Sequence, residues 1–274
     1  YTVATEGGRA YQMTSNQSHD SDPIWTPDGK SIIFSSYREK SKDIYKVSAE
    51  GGKPVRLTSH PGNETPLTVL EDGSVVFSAN IQQDAQYGDF PGGSQVYRTG
   101  PDGGRPELVT SLQIADMSVA PDGTVIYEDY KGYEDPLRKH HTSSVTRDIW
   151  ICVPTSGPSD GLRIDGISIF TKLSSFKGED RNPVFTPDGK AYYYLSEQDG
   201  TLNIYYSRIP ENVLVNEEIK PQQITFYKGN PVRYLSIADN GTLCYSYDGE
   251  LYTIRNGGKP EKVAIQIITD QIEK

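Results

Sequence analysis

Four cationic or imidazole side chains follow one another in the segment RKHHTSSVTRDIW, residues 138–150. Adjacent imidazoles such as His140 and His141 could bind a divalent metal together with carboxylates. Lys139 and Arg147 could instead bind the carboxylate of a peptide or of another domain through charge-assisted hydrogen bonds. Which of these the segment does depends on where the rest of the chain places it.

No other segment carries a recognisable catalytic signature. The sequence has no G-x-S-x-G elbow, no Walker loop and no H-E-x-x-H motif. Its two cysteines, Cys152 and Cys244, fit no zinc or redox spacing. We therefore predict no catalytic residue, no metal site and no cofactor, and we expect the chain alone not to hydrolyse peptides because no nucleophile and base pair is recognisable.

The charge balance excludes two classes of partner. With 27 Lys and Arg against 37 Asp and Glu, the 274-residue chain has a formal net charge of −10. Nucleic acids and anionic membranes would be repelled over most of such a surface. No apolar run approaches the roughly 18 residues that span a bilayer, so we expect no membrane insertion. The 19 tyrosines, 26 glycines and 18 prolines favour strands and turns over helices.

The elements that position these residues are internal repeats. DPIWTPDGKSIIFSS with DIYKVSAEGGKPVRLTS is one copy, and NPVFTPDGKAYYYLS with NIYYSRI is another. In each copy an apolar strand, a Pro-Asp-Gly turn, a second apolar strand, an alternating strand and an outer strand follow in order. One such sheet cannot bury both faces alone, but several packed side by side can, as in a β-propeller.

The repeats predict an all-β chain, a six-bladed β-propeller of four-stranded antiparallel blades in a single domain, residues 1–274. Residues 1–14 match only the third and outer strands of a blade, so we predict that the first blade is incomplete in this sequence. The five complete blades are predicted at residues 20–58, 63–109, 114–174, 179–225 and 230–264.

A four-stranded blade places its loops on two rims. The loop before the inner strand and the loop between the second and third strands share one rim, here called the loop rim, and the Pro-Asp-Gly turns form the other, the turn rim. The segment RKHHTSS falls on the loop rim together with the charged residues that begin the inner strands. These predicted binding residues are Asp22, Glu64, Asp180 and Arg181, beside Lys139, His140, His141 and Arg147.

Two interpretations of the loop-rim residues stay open. In the first, the acids cap the local turns, which explains without any ligand why they recur in every blade. In the second, they form a polar ring that contacts a peptide or another part of the polypeptide. All four histidines map to this rim, with His19 and His60 on one pair of blades and the other two elsewhere. That separation favours loop structure or partner contact over a metal site.

The repeat motif PDGKxIxFxS…DIYxxxxxGGxPxxLT resembles the repeats of TolB-like propellers and of the amino-terminal propeller of tricorn proteases. The segments GNETPL, KGYEDPLRKHHTSSVTRDIW and FKGEDRNPVFTPDG are similar to the propeller of bacterial, Bacteroidetes-type tricorn-like serine peptidases. The similarity covers essentially the whole chain. Because the nucleophile of these peptidases lies in a carboxy-terminal domain, the resemblance implies a non-catalytic module.

What the resemblance implies is a propeller that binds, filters or guides peptides for a tricorn-like serine peptidase in the periplasm or outside the cell. Its partners would be peptides, or the downstream PDZ and peptidase domains of the same polypeptide. The alternatives are a free-standing TolB-like interaction propeller and a metal-dependent propeller lyase or hydrolase that uses the histidines. The reading frame beyond Lys274 would discriminate between the first two.

Overall fold

Each copy of the repeat forms one four-stranded antiparallel sheet whose strands follow in chain order from the inner to the outer edge. The computed structural model describes residues 1–81, 93–133, 143–154, 162, 164, 168–214, 217 and 219–268. Within them, no helix is long and apolar enough to cross a membrane.

Blades 1 and 2 contain strands β2 to β9, and their bounds are β2 Asp20–Trp25, β3 Ser31–Ser36, β4 Asp43–Ser48, β5 Val55–Arg56, β6 Glu64–Val69, β7 Val75–Ala79, β8 Gln95–Gly100 and β9 Gly103–Thr110. Blades 3 to 5 contain β10 Ile114–Val119, β11 Val125–Asp129, β12 Ile149–Val153, β13 Ile169–Lys172, β14 Asp180–Phe185, β15 Ala191–Ser196, β16 Asn203–Arg208, β17 Gln222–Gln223, β18 Arg233–Ile237, β19 Leu243–Tyr247, β20 Glu250–Ile254 and β21 Glu261–Lys262.

The sheets pack side by side as the blades of a propeller. The inner strands β2, β6, β10, β14 and β18 contact one another in that order, and the space along their common axis is here called the channel. Separate apolar clusters lie between successive blades and contain the most deeply buried side chains. The fold class predicted from the repeats, an all-β propeller of four-stranded blades, is therefore confirmed.

The run Tyr192-Tyr193-Tyr194 illustrates how one strand serves two interfaces. Tyr192 and Tyr194 are buried between blades 3 and 4, whereas Tyr193 packs against the cluster between blades 4 and 5. Successive side chains of a strand point to opposite faces of the sheet. The run therefore packs the blades, as its alternation predicts.

The predicted number of six blades is not confirmed, because the described residues form five four-stranded sheets. Residues 1–14 contribute only the short strand β1 (Gly8–Arg9), which pairs in parallel with β22 (Ile265–Gln266) beyond the fifth blade. The described chain supplies no inner and second strands beside residues 1–14, so most of the segment has no ladder to join. The side chain of Met13 nevertheless packs on the open face of blade 1.

Every inner strand shifts its register once against the second strand. Such β-bulges insert an extra residue and bend the strand. In three blades the residue at the bulge is not glycine and yet has positive φ, namely Asp22 at 53°, Asn182 at 52° and Tyr234 at 55°. The bulges therefore place selected side chains at corresponding positions around the channel.

Candidate functional site

The inner strands of the propeller begin at a rim that they share with the loops between the second and third strands. In blade 1, Arg38 of the β3–β4 loop forms an ion pair of 2.8 Å with Asp20. Lys42 of the same loop forms one of 2.7 Å with Asp22, and the carboxylate of Asp22 is partly exposed. The loop rim is thus present, and the charge of Asp22 is paired within its own blade.

Glu64, which begins the inner strand of blade 2, is fully buried. Thr58 donates a hydrogen bond to its carboxylate and accepts one of 2.9 Å from the backbone N–H of Ile44. Burial raises the pKa of Glu64 to about 7, and the nearby carboxylate of Asp43 raises it further against the opposing effect of the Thr58 hydrogen bond. Glu64 therefore connects blades 1 and 2 in the interior and presents no charge to solvent.

The hydrogen bond from the third strand to a hydroxyl group recurs in other blades. The backbone N–H of Ile149 donates to Ser174 at 2.9 Å, and that of Ile204 donates to Thr225 at 2.8 Å. Unlike Thr58, these hydroxyl groups donate within their own blade, to Asp148 just before β12 at 3.2 Å and to Asn203 at the start of β16 at 3.0 Å. These contacts explain in structural terms why the repeat pairs DIY with a terminal Thr or Ser.

Asp180 is also buried, with 1% of its surface exposed. Burial raises its pKa to about 7, the hydrogen bond from Ser196 lowers it, and the nearby Asp148 carboxylate raises it. The neighbouring guanidinium group of Arg181 retains 18% exposure and lies 3.8 Å from the carboxylate of Glu179. Of these two predicted binding residues, only Arg181 has side-chain surface that a ligand could reach.

Arg147 connects its loop to the sheets of blades 3 and 4. Its guanidinium group forms an ion pair with the buried Glu128 and lies 5.6 Å from the centre of the Tyr130 ring. Its backbone N–H donates to Glu179 at 3.4 Å, and its carbonyl accepts from the N–H of Asp180 at 3.1 Å. These contacts fix the carboxy-terminal end of the loop. Lys139, His140 and His141 lie outside the described residues, so binding by this group stays a prediction.

The remaining histidines have separate surroundings. The Nδ1 atom of His60 accepts a hydrogen bond of 3.0 Å from the backbone N–H of Gly62. The carbonyl of His19 accepts one of 3.4 Å from the N–H of Tyr37. Within the described part of the chain, no three His, Cys, Asp or Glu side chains are placed to hold a metal ion.

Asn182, at the bulge of blade 4, connects three inner strands. Its side-chain amide donates to Asp116 of blade 3 at 2.9 Å and to the carbonyl of Leu235 of blade 5 at 3.0 Å. Its side-chain oxygen accepts from the N–H of Leu235 at 2.7 Å, and its backbone N–H donates to Glu128 at 2.8 Å. The sequence analysis did not identify this residue, although asparagine is one of the few residues other than glycine that often adopt left-handed backbone.

One acid beside Asn182 has a raised pKa. Burial, followed by the charge of Glu128, raises the pKa of Asp116 to about 7. The hydrogen bonds from Asn182 and from the backbone N–H of Met117 lower it again but do not compensate. The carboxyl group of Asp116 therefore ionises less readily than that of an ordinary aspartate.

A cavity of about 350 Å³ lies at the channel mouth on the turn rim, the rim opposite to the predicted binding residues. The last residues of four inner strands line it, at corresponding positions in blades 2 to 5: Val69, Val119, Phe185 and Ile237. A wider groove of about 1170 Å³ lies between blades 4 and 5 on the same rim. The signal for the cavity was present in the sequence, because each of these residues stands three positions before the Asp-Gly or Asn-Gly dipeptide of the turn that follows its inner strand.

Comparison with known proteins identifies the family to which the chain belongs. The model of the tricorn protease N-terminal beta propeller domain matches residues 1–259. Tricorn protease homolog 1 of Streptomyces coelicolor is 24% identical over 265 residues, which are 96% of this chain and 22% of that protein. The chain spans less than two thirds of the length of the curated relatives that it matches.

Solved structures agree on the fold. A crystal structure of the tricorn protease superposes on 95% of this chain and 24% of its own, with a TM-score of 0.71 and 20% identity. A putative TolB from Agrobacterium tumefaciens superposes on 90% of this chain and 81% of its own, with a TM-score of 0.64 and 19% identity. At these identities the superpositions show the propeller fold alone.

Proposed function

The chain belongs to the tricorn protease N-terminal beta-propeller family, and from this premise we propose that it is a non-catalytic module that binds, filters or guides peptides for a tricorn-like serine peptidase. The peptidase and PDZ domains would lie elsewhere in the same polypeptide. The relatives are much longer than this chain, which supports that arrangement. We further propose a periplasmic or secreted location and a ring that is completed to six blades around β1 and β22.

The observation that carries the proposal is the channel with its apolar mouth. A passage that guides varied peptides needs contacts that tolerate many sequences, and non-directional apolar contacts meet that need. Val69, Val119 and Ile237 are partly exposed there and can supply those contacts, whereas Phe185 is buried beneath the wall. A preformed apolar cavity with a few polar groups is also the common form of a ligand site.

The test uses the full-length protein and the isolated chain in parallel. Fluorescein-labelled peptides of six to twelve residues are titrated with the isolated chain, and the rise of fluorescence anisotropy measures binding. The proposal expects binding without cleavage by the isolated chain, and cleavage by the full-length protein. Cleavage by the isolated chain, or no peptide binding at millimolar concentration, would contradict it.

A second experiment addresses the passage itself. Val119→Trp inserts a large side chain at the partly exposed channel mouth, whereas Val55→Trp adds the same ring at an exposed outer strand far from the channel axis. We expect the first variant alone to slow peptide turnover by the full-length protein, provided that both variants keep the wild-type melting temperature. Equal turnover by both variants would show that peptides do not pass through this mouth.

A further inference from the structure

The channel mouth combines its apolar wall with acids on the rim. Glu71 and Asp72 of blade 2 and Asp239 of blade 5 line the cavity, and all three are exposed at the surface. Asp72 accepts a hydrogen bond of 2.8 Å from the backbone N–H of Ser74, which fixes its carboxylate in the turn. No lysine or arginine is among the described residues that line the cavity. The mouth is therefore an apolar recess with negative charge around it.

Two of these acids replace a proline of the repeat. Pro27, Pro121 and Pro187 stand at the first position of the turn in blades 1, 3 and 4, and Glu71 and Asp239 stand at the same position in blades 2 and 5. A proline there presets the turn conformation. The two acids give up that advantage and place carboxylates at the mouth instead.

The cavity also continues into the groove between blades 4 and 5. Thr186, Pro187 and Asp239 line both spaces, so the two adjoin. The groove is walled by Tyr193 and Tyr206, whose ring centroids are 5.2 Å apart. An extended chain that enters the mouth therefore has a surface with aromatic side chains on which to lie.

We propose that the channel mouth is a subsite for an apolar side chain that has an ammonium group beside it, either the free amino terminus of a peptide or the side chain of an adjoining lysine. The rest of the peptide lies over Thr186 and Pro187 in the groove. This inference rests on the proposed peptide-binding function and names the class of peptide. The volume of about 350 Å³ suits one side chain and excludes a folded partner.

Four hexapeptides with a carboxy-terminal fluorophore test the chemistry. The first begins with phenylalanine and a free amino group, the second begins with acetyl-lysyl-phenylalanine, the third with acetyl-phenylalanine, and the fourth with serine and a free amino group. Each continues with the same glycine and serine residues. At low salt we expect the first two to bind at least about tenfold more tightly than the last two, since they alone combine an apolar side chain with a positive charge. A difference between the first two identifies the source of the ammonium group.

Charge variants locate the site. Glu71→Lys with Asp239→Lys should lower the affinity for both cationic peptides about tenfold and leave the acetyl-phenylalanine peptide unchanged. Glu71→Pro with Asp239→Pro removes the charges with the residue that the other blades use, and should give a smaller loss without disturbing the turn. Glu50→Lys, an exposed acid of blade 1 outside the cavity, is the matched control and should change nothing.

The outcomes separate this inference from the proposed function. If the wild-type chain binds peptides but the four hexapeptides bind alike, or if the paired variants bind like Glu50→Lys, the subsite is wrong while peptide binding stands. If no hexapeptide binds at millimolar concentration, the subsite and the proposed function fail together. Melting temperatures of all variants within about 2 °C of wild type, the shift that a loss of about 1 kcal/mol gives in a chain of this length, show that the comparison is between folded proteins.

Discussion

Replacing Asn182 by Ala should loosen three blades at once. The variant removes the side-chain contacts to Asp116 and to both backbone groups of Leu235. Leu235 is 3% exposed, so its N–H and C=O groups would be left buried without these partners. The backbone at this position has φ of 52°, which an alanine adopts only with strain.

The size of the effect follows from these contacts. A buried backbone group that loses its partner costs about 1–3 kcal/mol, and the left-handed conformation costs alanine about 1–2 kcal/mol. Water in the channel can reach part of the vacated site and offset some of this loss. We therefore expect the free energy of unfolding to fall by roughly 3–4 kcal/mol.

Urea unfolding followed by tryptophan fluorescence measures this change. Asp22→Ala is the matched control because Asp22 has φ of 53° at the bulge of blade 1, but its carboxylate forms a partly exposed ion pair with Lys42. The control should cost the same backbone strain and only about 0–1 kcal/mol for the ion pair. Asn182→Gly removes the contacts without the strain and should lie between the two.

Equal losses for Asn182→Ala and Asp22→Ala would refute the reasoning, because the contacts across three blades would then contribute nothing beyond the local conformation. Asn182→Asp gives an independent check. Its carboxylate would face Asp116 and Glu128 and would lose the two donated hydrogen bonds. We expect this variant to recover stability as the pH falls toward 4, where the acids are protonated; stability that does not change with pH would contradict the assignment.

Three further predictions concern other parts of the molecule. The pKa of the buried Glu64 is raised above its value in the unfolded chain, so the free energy of unfolding should fall as the pH rises from about 4.5 to 7, by up to about 3 kcal/mol for this group. Glu64→Gln should weaken the dependence of the melting temperature on pH in this range. An unchanged dependence would contradict the assignment. Gly7→Ala should separate β1 from β22 and speed proteolysis of the first residues, because the added Cβ would lie 2.5 Å from a backbone carbonyl oxygen. A Cβ added at Gly8 would have no atom within 4 Å, so Gly8→Ala should disturb the structure less. Equal rates of proteolysis for the two variants would refute the steric reason. Replacing residues 139–141 together by alanine should leave the melting temperature unchanged and slow peptide processing by the full-length protein. Arg147→Ala leaves a buried carboxylate unpaired and should lower the free energy of unfolding by about 3–5 kcal/mol. A lower melting temperature with unchanged processing for the variant at residues 139–141 would make these residues structural.

The fold could be predicted from the sequence because each copy of the repeat contains the residues that define its turns and strands. A proline and a glycine at fixed positions define a hairpin, and the apolar runs on each side define strands that need neighbours on both faces. Five copies of that pattern require five sheets, and the run Tyr192-Tyr193-Tyr194 follows from the alternation of side chains in a strand. The number of blades could not be read in the same way, because it depends on partners for residues 1–14 that the described chain does not supply.

The candidate site was harder to predict because the charged residues of the sequence lie on the loop rim, whereas the cavity of the structure lies on the turn rim at the other end of the channel. The charged residues of the sequence indicated the loop rim, but Glu64 and Asp180 are buried and make interior contacts, and the sequence carries no sign of burial for an acid that begins an inner strand.

The channel mouth depends instead on the last apolar residue of each inner strand, which looks like ordinary core until the strands are arranged in a ring. Val69 and Ile237 are far apart in the sequence and acquire a common role only because corresponding positions of successive blades meet at the axis. In a propeller, side chains that act together are therefore found by comparing one position across all copies of the repeat, and the acids that replace proline beside these two residues are the departures that such a comparison reveals.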